Sequence, residues 1–445
     1  MQTLSATCRV HPDGDQASEL SRLTAELLDA EHAIAISEHA RFLSVKERGL
    51  QLDHEALEGQ LRGRTVLVTG GTGCIGSKLL GEISRYAPGR LVSLSRGELP
   101  AENTACGAEY RFADLRDRDA VRRVLDEVRP DIVYHLAAQH DPGLAELEPA
   151  RTVMTNVFGT RNLVEAATAV GTELIVYAST GKALRPFTPD IYAASKKAGE
   201  WILAEAAGQG GPVVAGVRFT HVVDNSIIFD RLQSWIETGT TIRLHAPEIL
   251  FYLQSALESA HLLLDAGLQA RPGELRMQAI RSLDDPVGLT HLALGALAAR
   301  DRIVPIHFCG FDAGYEELPF PTLYDPLWSG DVSPLINAME APDAGPSTTC
   351  PEVDGFTVRV APSCTLATAA KALESACRCG SDDATLKDLS AVLCWALLDA
   401  RLDATETPVL ERAAARAAKD PSPANQSPMH ARTNEAIIRA AGRRR

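Results

Sequence analysis

The stretch TVLVTGGTGCIGSKL, residues 65–79, sets a short apolar run ahead of three spaced glycines and an amphipathic segment. In the pattern Gly70-x-x-Gly73-x-x-Gly76 each glycine has a physical use: a tight first turn, backbone close to a pyrophosphate, and helix packed directly on strand. The anion would rest on the helix N-terminus, where unpaired N–H groups and the helix dipole favour negative charge. Gly70, Thr72, Gly73, Cys74, Ile75 and Gly76 are therefore the candidate dinucleotide cradle, with a purely structural glycine turn as the alternative.

Downstream, the apolar runs RLVSLS, DIVYHLAA, ELIVYAST and VVAGVRF alternate with helical stretches such as AVRRVLDEV, TNVFGTRNLVEAATAV and YAASKKAGEWILAEAA. Regular alternation of this kind predicts an α/β fold with a Rossmann-type, doubly wound parallel sheet that binds ligands at the carboxyl ends of its strands. Residues 1–62 read as a helical N-terminal segment, with Leu20, Leu23, Leu27 and Leu28 at helical spacing. The main domain is expected over 63–340, divided into a cofactor-binding core to about 225 and a smaller substrate lobe over 226–340 that ends near the proline-rich LPFPTLYDPLW. PDAGPSTTCP suggests a linker at 341–350, followed by helices over 351–418 and a polar, disordered tail over 419–445.

Hydrophobic residues make up 45% and charged residues 23% of the 445, and the net charge is −14. That balance suits a globular protein and argues against a basic face for nucleic acid or an acidic membrane surface. No run of about 18 apolar residues occurs, so the expectation is a cytoplasmic protein. Nine cysteines at irregular spacing fit neither a disulfide framework nor a common zinc pattern, so no metal site is expected.

Two further groups concern the dinucleotide. The strand after the glycine turn ends in Ser95 and Arg96, a hydroxyl and a guanidinium suited to a 2′-phosphate. NADP is therefore expected, with NAD the alternative. Asp114 and Leu115 are placed to meet the adenine, and Ala137 and Ala138 let a strand end pass close beneath the cofactor. The chemistry is expected from Tyr192 and Lys196, a YxxxK pair on one helix face, with Thr180 before them. A nearby ammonium would lower the tyrosine pKa and make a base for a substrate hydroxyl, with Thr180 hydrogen-bonded to the same oxygen.

TGGTGCIG, HLAAQ, the Ser179-Thr180 pair and YAASK together resemble the extended short-chain dehydrogenases. Within them the chain is most similar to the polysaccharide-biosynthesis group that includes the UDP-N-acetylglucosamine 4,6-dehydratases. LQLDHEALEGQLRGRTVLVTG resembles that group's lead-in, LSRGEL its SRDEL, and STGKALRP its STDKAVNP. The likeness runs over roughly residues 50–330. It implies an enzyme that oxidises a ring hydroxyl of a nucleotide-linked sugar and then dehydrates or epimerises it through the ketone, returning the hydride. It further implies Tyr192 as base, Lys196 as its partner and ribose anchor, Thr180 as support, Lys182 near C5 or C6, and a homo-oligomer.

The chain departs from the group at several points. Gly181 stands where the group has the aspartic acid that protonates the departing hydroxyl. The loop to Tyr192 is longer and carries Pro186, Pro189 and Asp190. Around the substrate, Gln139, His140 and His221 are the candidate contacts. His140, Asp141, Asp190 and His221 are candidate replacement acids, each with a structural role as the alternative. Epimerisation or simple oxidoreduction thereby gains on dehydration. Two other functions stay open: oxidation of another sugar-like secondary alcohol, and a non-catalytic dinucleotide-binding scaffold.

Overall fold

The computed structural model describes residues 14–97, 107–311, 331–419 and 428–444. The expected strands form: β1 (Thr65–Thr69), β2 (Arg90–Ser95), β4 (Ile132–His135), β5 (Leu174–Thr180) and β6 (Val213–Phe219), with β3 at Glu109–Phe112 in addition. They belong to a nine-stranded sheet in which β6, β5, β4, β1, β2 and β3 lie side by side, all parallel. Chain order reverses between β1 and β4, the point where a doubly wound sheet opens a crevice for ligands. Thr69 pairs with Leu94 on one side and His135 on the other, so three strands end level there.

Beyond β6 the sheet continues with Leu275–Ile280, parallel to β6, then Val353–Val358 and Gly345–Pro346, both antiparallel. The segment expected to be a linker therefore contributes an edge strand, and the C-terminal part begins as sheet rather than helix. Val353 on one face and Phe356 and Val358 on the other are buried there, so this strand is held by packing on both faces as well as by its ladder. The polar tail is also ordered in part: helix Pro428–Gly442 buries Ile437, Ala440 and Ala441 beside Leu410, Ala413 and Ala414 of helix Thr407–Ala417. Polar composition hid a narrow apolar stripe.

The chain divides into two units. The larger comprises 50–219, 260–282 and 317–445; the smaller comprises 1–49, 220–259 and 283–316. The substrate lobe expected over 226–340 thus loses 260–282 and 331–340 to the sheet unit, while its stretch 312–330 lies outside the described residues. In exchange the smaller unit takes the helix Gly14–Ser44. That helix crosses Leu289–Ala298 so closely that a side chain at Gly295 would meet the Ala35 carbonyl oxygen at 2.3 Å. Leu28, Ala35, Phe42, Leu292 and Phe308 form the core of this unit.

Candidate functional site

The glycine turn sits at the carboxyl end of β1. Gly70 has φ +72°, and a Cβ there would lie 2.9 Å from the Ala137 nitrogen at the end of β4. A Cβ on Gly76 would lie 2.2 Å from the Gly70 carbonyl oxygen. Neither position admits another residue without moving backbone. Helix Cys74–Ser84 starts from Gly73, which supplies no side-chain cap, and Thr72, Cys74 and Ile75 beside it are half-buried. Ser95 Oγ, at the end of β2, is buried without a hydrogen-bond partner, as expected of a hydroxyl waiting for a ligand. These features fit a bound dinucleotide.

Arg96 follows in an exposed position. Asp114 is already engaged: Arg116 donates to it from Nε at 3.0 Å and from its other guanidinium arm at 2.6 Å. This hydrogen bonding lowers the Asp114 pKa, with Arg96 adding to the effect. Leu115 is buried, and its carbonyl accepts from Asn162. Arg116 is a second guanidinium at this end that the sequence reading passed over.

A buried network fixes the strand ends. Thr69 Oγ1 accepts from the Leu136 and Ala137 nitrogens at 3.1 Å and lies 2.8 Å from His135 Nδ1. His135 Nε2 lies 2.9 Å from Thr160 Oγ1. Burial and the nearby Lys196 push the His135 pKa down to about 3, so the ring is neutral. Ala137 and Ala138 are half-buried beside this network. Asn156, on a single π-helical turn (Met154–Phe158), accepts from the Gln139 nitrogen at 2.7 Å and donates to the Gln139 carbonyl and Ser195 Oγ at 2.9 Å. The π-turn re-aims one side chain across two segments.

Helix Ile191–Gly208 carries Tyr192 and Lys196 and starts from Asp190, whose Oδ1 accepts from the Ala193 nitrogen at 2.7 Å. Thr180, at the end of β5, lies near enough to Tyr192 to act on its titration. Burial raises the Tyr192 pKa to about 12, while Thr180 opposes the rise. Lys196 does not depress it in this state: its Nζ lies over the Tyr177 ring, 4.3 Å from the centroid. Burial lowers the Lys196 pKa to about 7, with Glu200 pulling the other way. With burial dominant, the neutral phenol is the favoured form in this structure.

Lys182 lies on the short 3-10 turn Gly181–Leu184, its nitrogen donating to Thr180 Oγ1 at 3.4 Å. A side chain at Gly181 would meet Leu335 Cδ2 at 2.9 Å and the Phe219 carbonyl oxygen at 3.3 Å. The tip of the Leu335 side chain therefore lies against Gly181.

The candidate replacement acids have other work. Asp190 caps the tyrosine helix and accepts from Thr188. Asp141 caps Pro142–Leu147 by accepting from the Leu144 nitrogen at 3.1 Å. Gln139 Oε1 accepts from the Asp141 nitrogen at 2.9 Å, and His140 is exposed. His221 belongs to the smaller unit, where its Nε2 lies 2.7 Å from Ser226 Oγ and its ring packs 4.8 Å from that of Phe251. Among the described residues no cluster of three or more His, Cys, Asp and Glu side chains could hold a metal, and no helix is long and apolar enough to cross a membrane.

Comparison with known proteins places this geometry. The probable polysaccharide biosynthesis protein EpsC of Bacillus subtilis is 29% identical over 284 residues, 60% of this chain and 47% of that one. A UDP-N-acetylglucosamine 4,6-dehydratase (inverting) of Campylobacter jejuni is 30% identical over 158 residues, 34% of this chain and 45% of the relative. The chain thus spans about half the length of these curated relatives. Among solved structures, Pen from Bacillus thuringiensis shares the fold with a TM-score of 0.56 at 21% identity, covering 67% of this chain and 87% of its own. A family model described as polysaccharide biosynthesis protein matches residues 66–317. With the glycine turn, the strand order and that match in agreement, the chain belongs to the polysaccharide biosynthesis protein family, the group its motifs resemble.

Proposed function

We propose that the chain is an NADP-dependent enzyme that modifies a nucleotide-linked sugar by transient oxidation of a ring hydroxyl, ending in epimerisation or net oxidoreduction rather than dehydration. The glycine turn at the switch point of the sheet, within the region that matches the family model, carries this reading. A relative named as a UDP-N-acetylglucosamine 4,6-dehydratase supports the substrate class.

In this reading Tyr192 takes the proton from the substrate hydroxyl, and Thr180 holds that oxygen and the phenol in line. NADP, when bound, would supply the hydride acceptor: in epimerisation the hydride would go back to the sugar, and in net oxidoreduction it would stay on the cofactor. Lys196, near half-charged at neutral pH, gains its proton fully when polar groups displace its apolar surroundings, and the ammonium then stabilises the phenolate. Gly70, Gly73 and Gly76 admit the pyrophosphate, and Ser95 with Arg96 takes the 2′-phosphate. Arg96→Ala is expected to weaken NADP about tenfold or more and NAD hardly at all, measured by titration calorimetry. Equal effects would remove the 2′-phosphate assignment.

The case against dehydration rests on Gly181. No carboxylate stands there to protonate a departing hydroxyl, and Leu335 occupies the space one would need. Incubation with UDP-N-acetylglucosamine and related nucleotide sugars, followed by mass spectrometry and NMR, is expected to show altered stereochemistry or oxidation state without loss of water. Loss of water by the wild-type protein would overturn the preference. The variant Gly181→Asp alone should give no dehydration, whereas Gly181→Asp with Leu335→Ala opens room for the carboxylate and should yield dehydrated product. Tight NADP binding with no turnover on any sugar nucleotide would favour a scaffold.

A further inference from the structure

The buried charges beneath the tyrosine helix do not stop within the matched region of the chain. Ser179 Oγ, next to Thr180, donates to Glu200 at 2.7 Å. Arg218, from β6, is fully enclosed and donates to both oxygens of Glu200 at 3.0 and 2.9 Å. The same guanidinium donates to both oxygens of Glu340 at 2.7 and 2.9 Å and to the Leu335 carbonyl at 3.2 Å. Glu340 then accepts from Arg401, on the C-terminal helix Asp383–Ala404. A ladder of alternating sign therefore runs from the strand end that carries Thr180 to a helix beyond residues 66–317.

The same helix holds the loop ahead of Tyr192. Trp395 stacks on Phe187 with ring centroids 4.1 Å apart, and Lys387 pairs with Glu146 at 2.9 Å. Glu146 in turn accepts from the Ile191 nitrogen at 2.8 Å. Asn337 donates to the Leu184 carbonyl at 2.8 Å. A ladder serving stability alone is replaceable by apolar packing of similar volume. This one ends beside the candidate base pair.

We infer that Glu340 and Arg401 are positioning residues for the candidate site: they hold Arg218, and through it the Glu200 carboxylate that faces Lys196, making the C-terminal helices part of the working apparatus. This rests on the reading of Lys196 as the partner of Tyr192. The groups facing Lys196 are Glu200 on its own helix, His135 from β4 and the Tyr177 ring from β5. The adjacent Lys197 feels Arg401, Cys394, Glu200 and Arg218, so the charge of Arg401 reaches this helix.

The sign of each perturbation follows from the charges. Without Arg401 the ladder gains one net negative charge, and Lys196 keeps its proton to higher pH. Without Glu340 it gains one positive charge, and Lys196 loses its proton at lower pH. Unit charges about 10 Å apart at an effective dielectric of about 20 move a titration by about one pH unit.

The test uses the full chain as Arg401→Met, Arg401→Lys, Glu340→Gln and the Arg401→Met/Glu340→Gln double variant. The titration of Lys196 is followed through the pH dependence of its ε-methylene carbon shift by NMR of lysine-13C-labelled protein, the signal being assigned by its loss in Lys196→Arg. The midpoint is expected to rise by up to about one pH unit in Arg401→Met and to fall in Glu340→Gln. It should return near wild type in Arg401→Lys and in the double variant. Where Glu340→Gln fails to fold, Arg401→Met and the charge-balanced double variant carry the sign test. Unchanged midpoints, or a double variant further from wild type than either single one, would overturn the inference. The readout needs no turnover, so a responsive Lys196 in a protein inactive on sugar nucleotides would sink the functional reading and leave this one standing.

Discussion

Tyr192→Phe is expected to lower turnover by about 10³-fold while changing NADP affinity by no more than about threefold. The substitution removes one hydroxyl and little volume, so the helix from Ile191 to Gly208 and its Asp190 cap stay in place. What is lost is the hydroxyl proposed to receive the substrate proton. Single-turnover kinetics separate the two effects, because cofactor binding is read without chemistry. Turnover within tenfold of wild type would take Tyr192 out of the mechanism. A large fall in cofactor affinity would assign the phenol to binding instead.

Arg218→Met is expected to leave little folded protein. The guanidinium has no exposed surface and neutralises two carboxylates at once. Its removal sets Glu200 and Glu340 facing each other across a buried gap, a change worth about 3–5 kcal/mol or more. The Glu340 pKa, held down at about 2 by Arg218 and Arg401 despite burial, gives the direction in acid. Because the folded value lies below the unfolded one, Glu340 stabilises the wild type above pH about 4.5, and this contribution is lost as pH falls toward about 2. In the variant that contribution shrinks, so the acid unfolding limb should move to higher pH. Adding Glu340→Gln to Arg218→Met should recover part of the loss in a urea titration. No recovery would mean that packing of Arg218 against Phe356, 4.9 Å from its ring centroid, outweighs the charges.

The sequence carried the glycine turn and the strands β1, β2, β4, β5 and β6 plainly, because each depends on neighbours within one strand–turn–helix unit. The strand end at Thr180 and the helix that carries Tyr192 were also legible, as neighbours along the chain. The protonation states were not legible. A YxxxK spacing places an ammonium on the same helix face as a phenol, but only the packing of Tyr177, His135 and Glu200 around Lys196 shows that burial dominates before ligands bind.

The same division holds across the chain. By itself the sequence determined the parallel sheet and the glycine turn at its switch point, from local spacing and hydrophobic period. Tertiary structure alone decided what stands where the family acid is missing, since Leu335 reaches Gly181 from far along the chain. It also decided that Asp141 and Asp190 cap helices, that 341–350 contains an edge strand, and that Arg401 closes a ladder begun at Ser179. Charged and small residues take their meaning from partners brought together by burial, and burial depends on the whole fold rather than on the local run of residues.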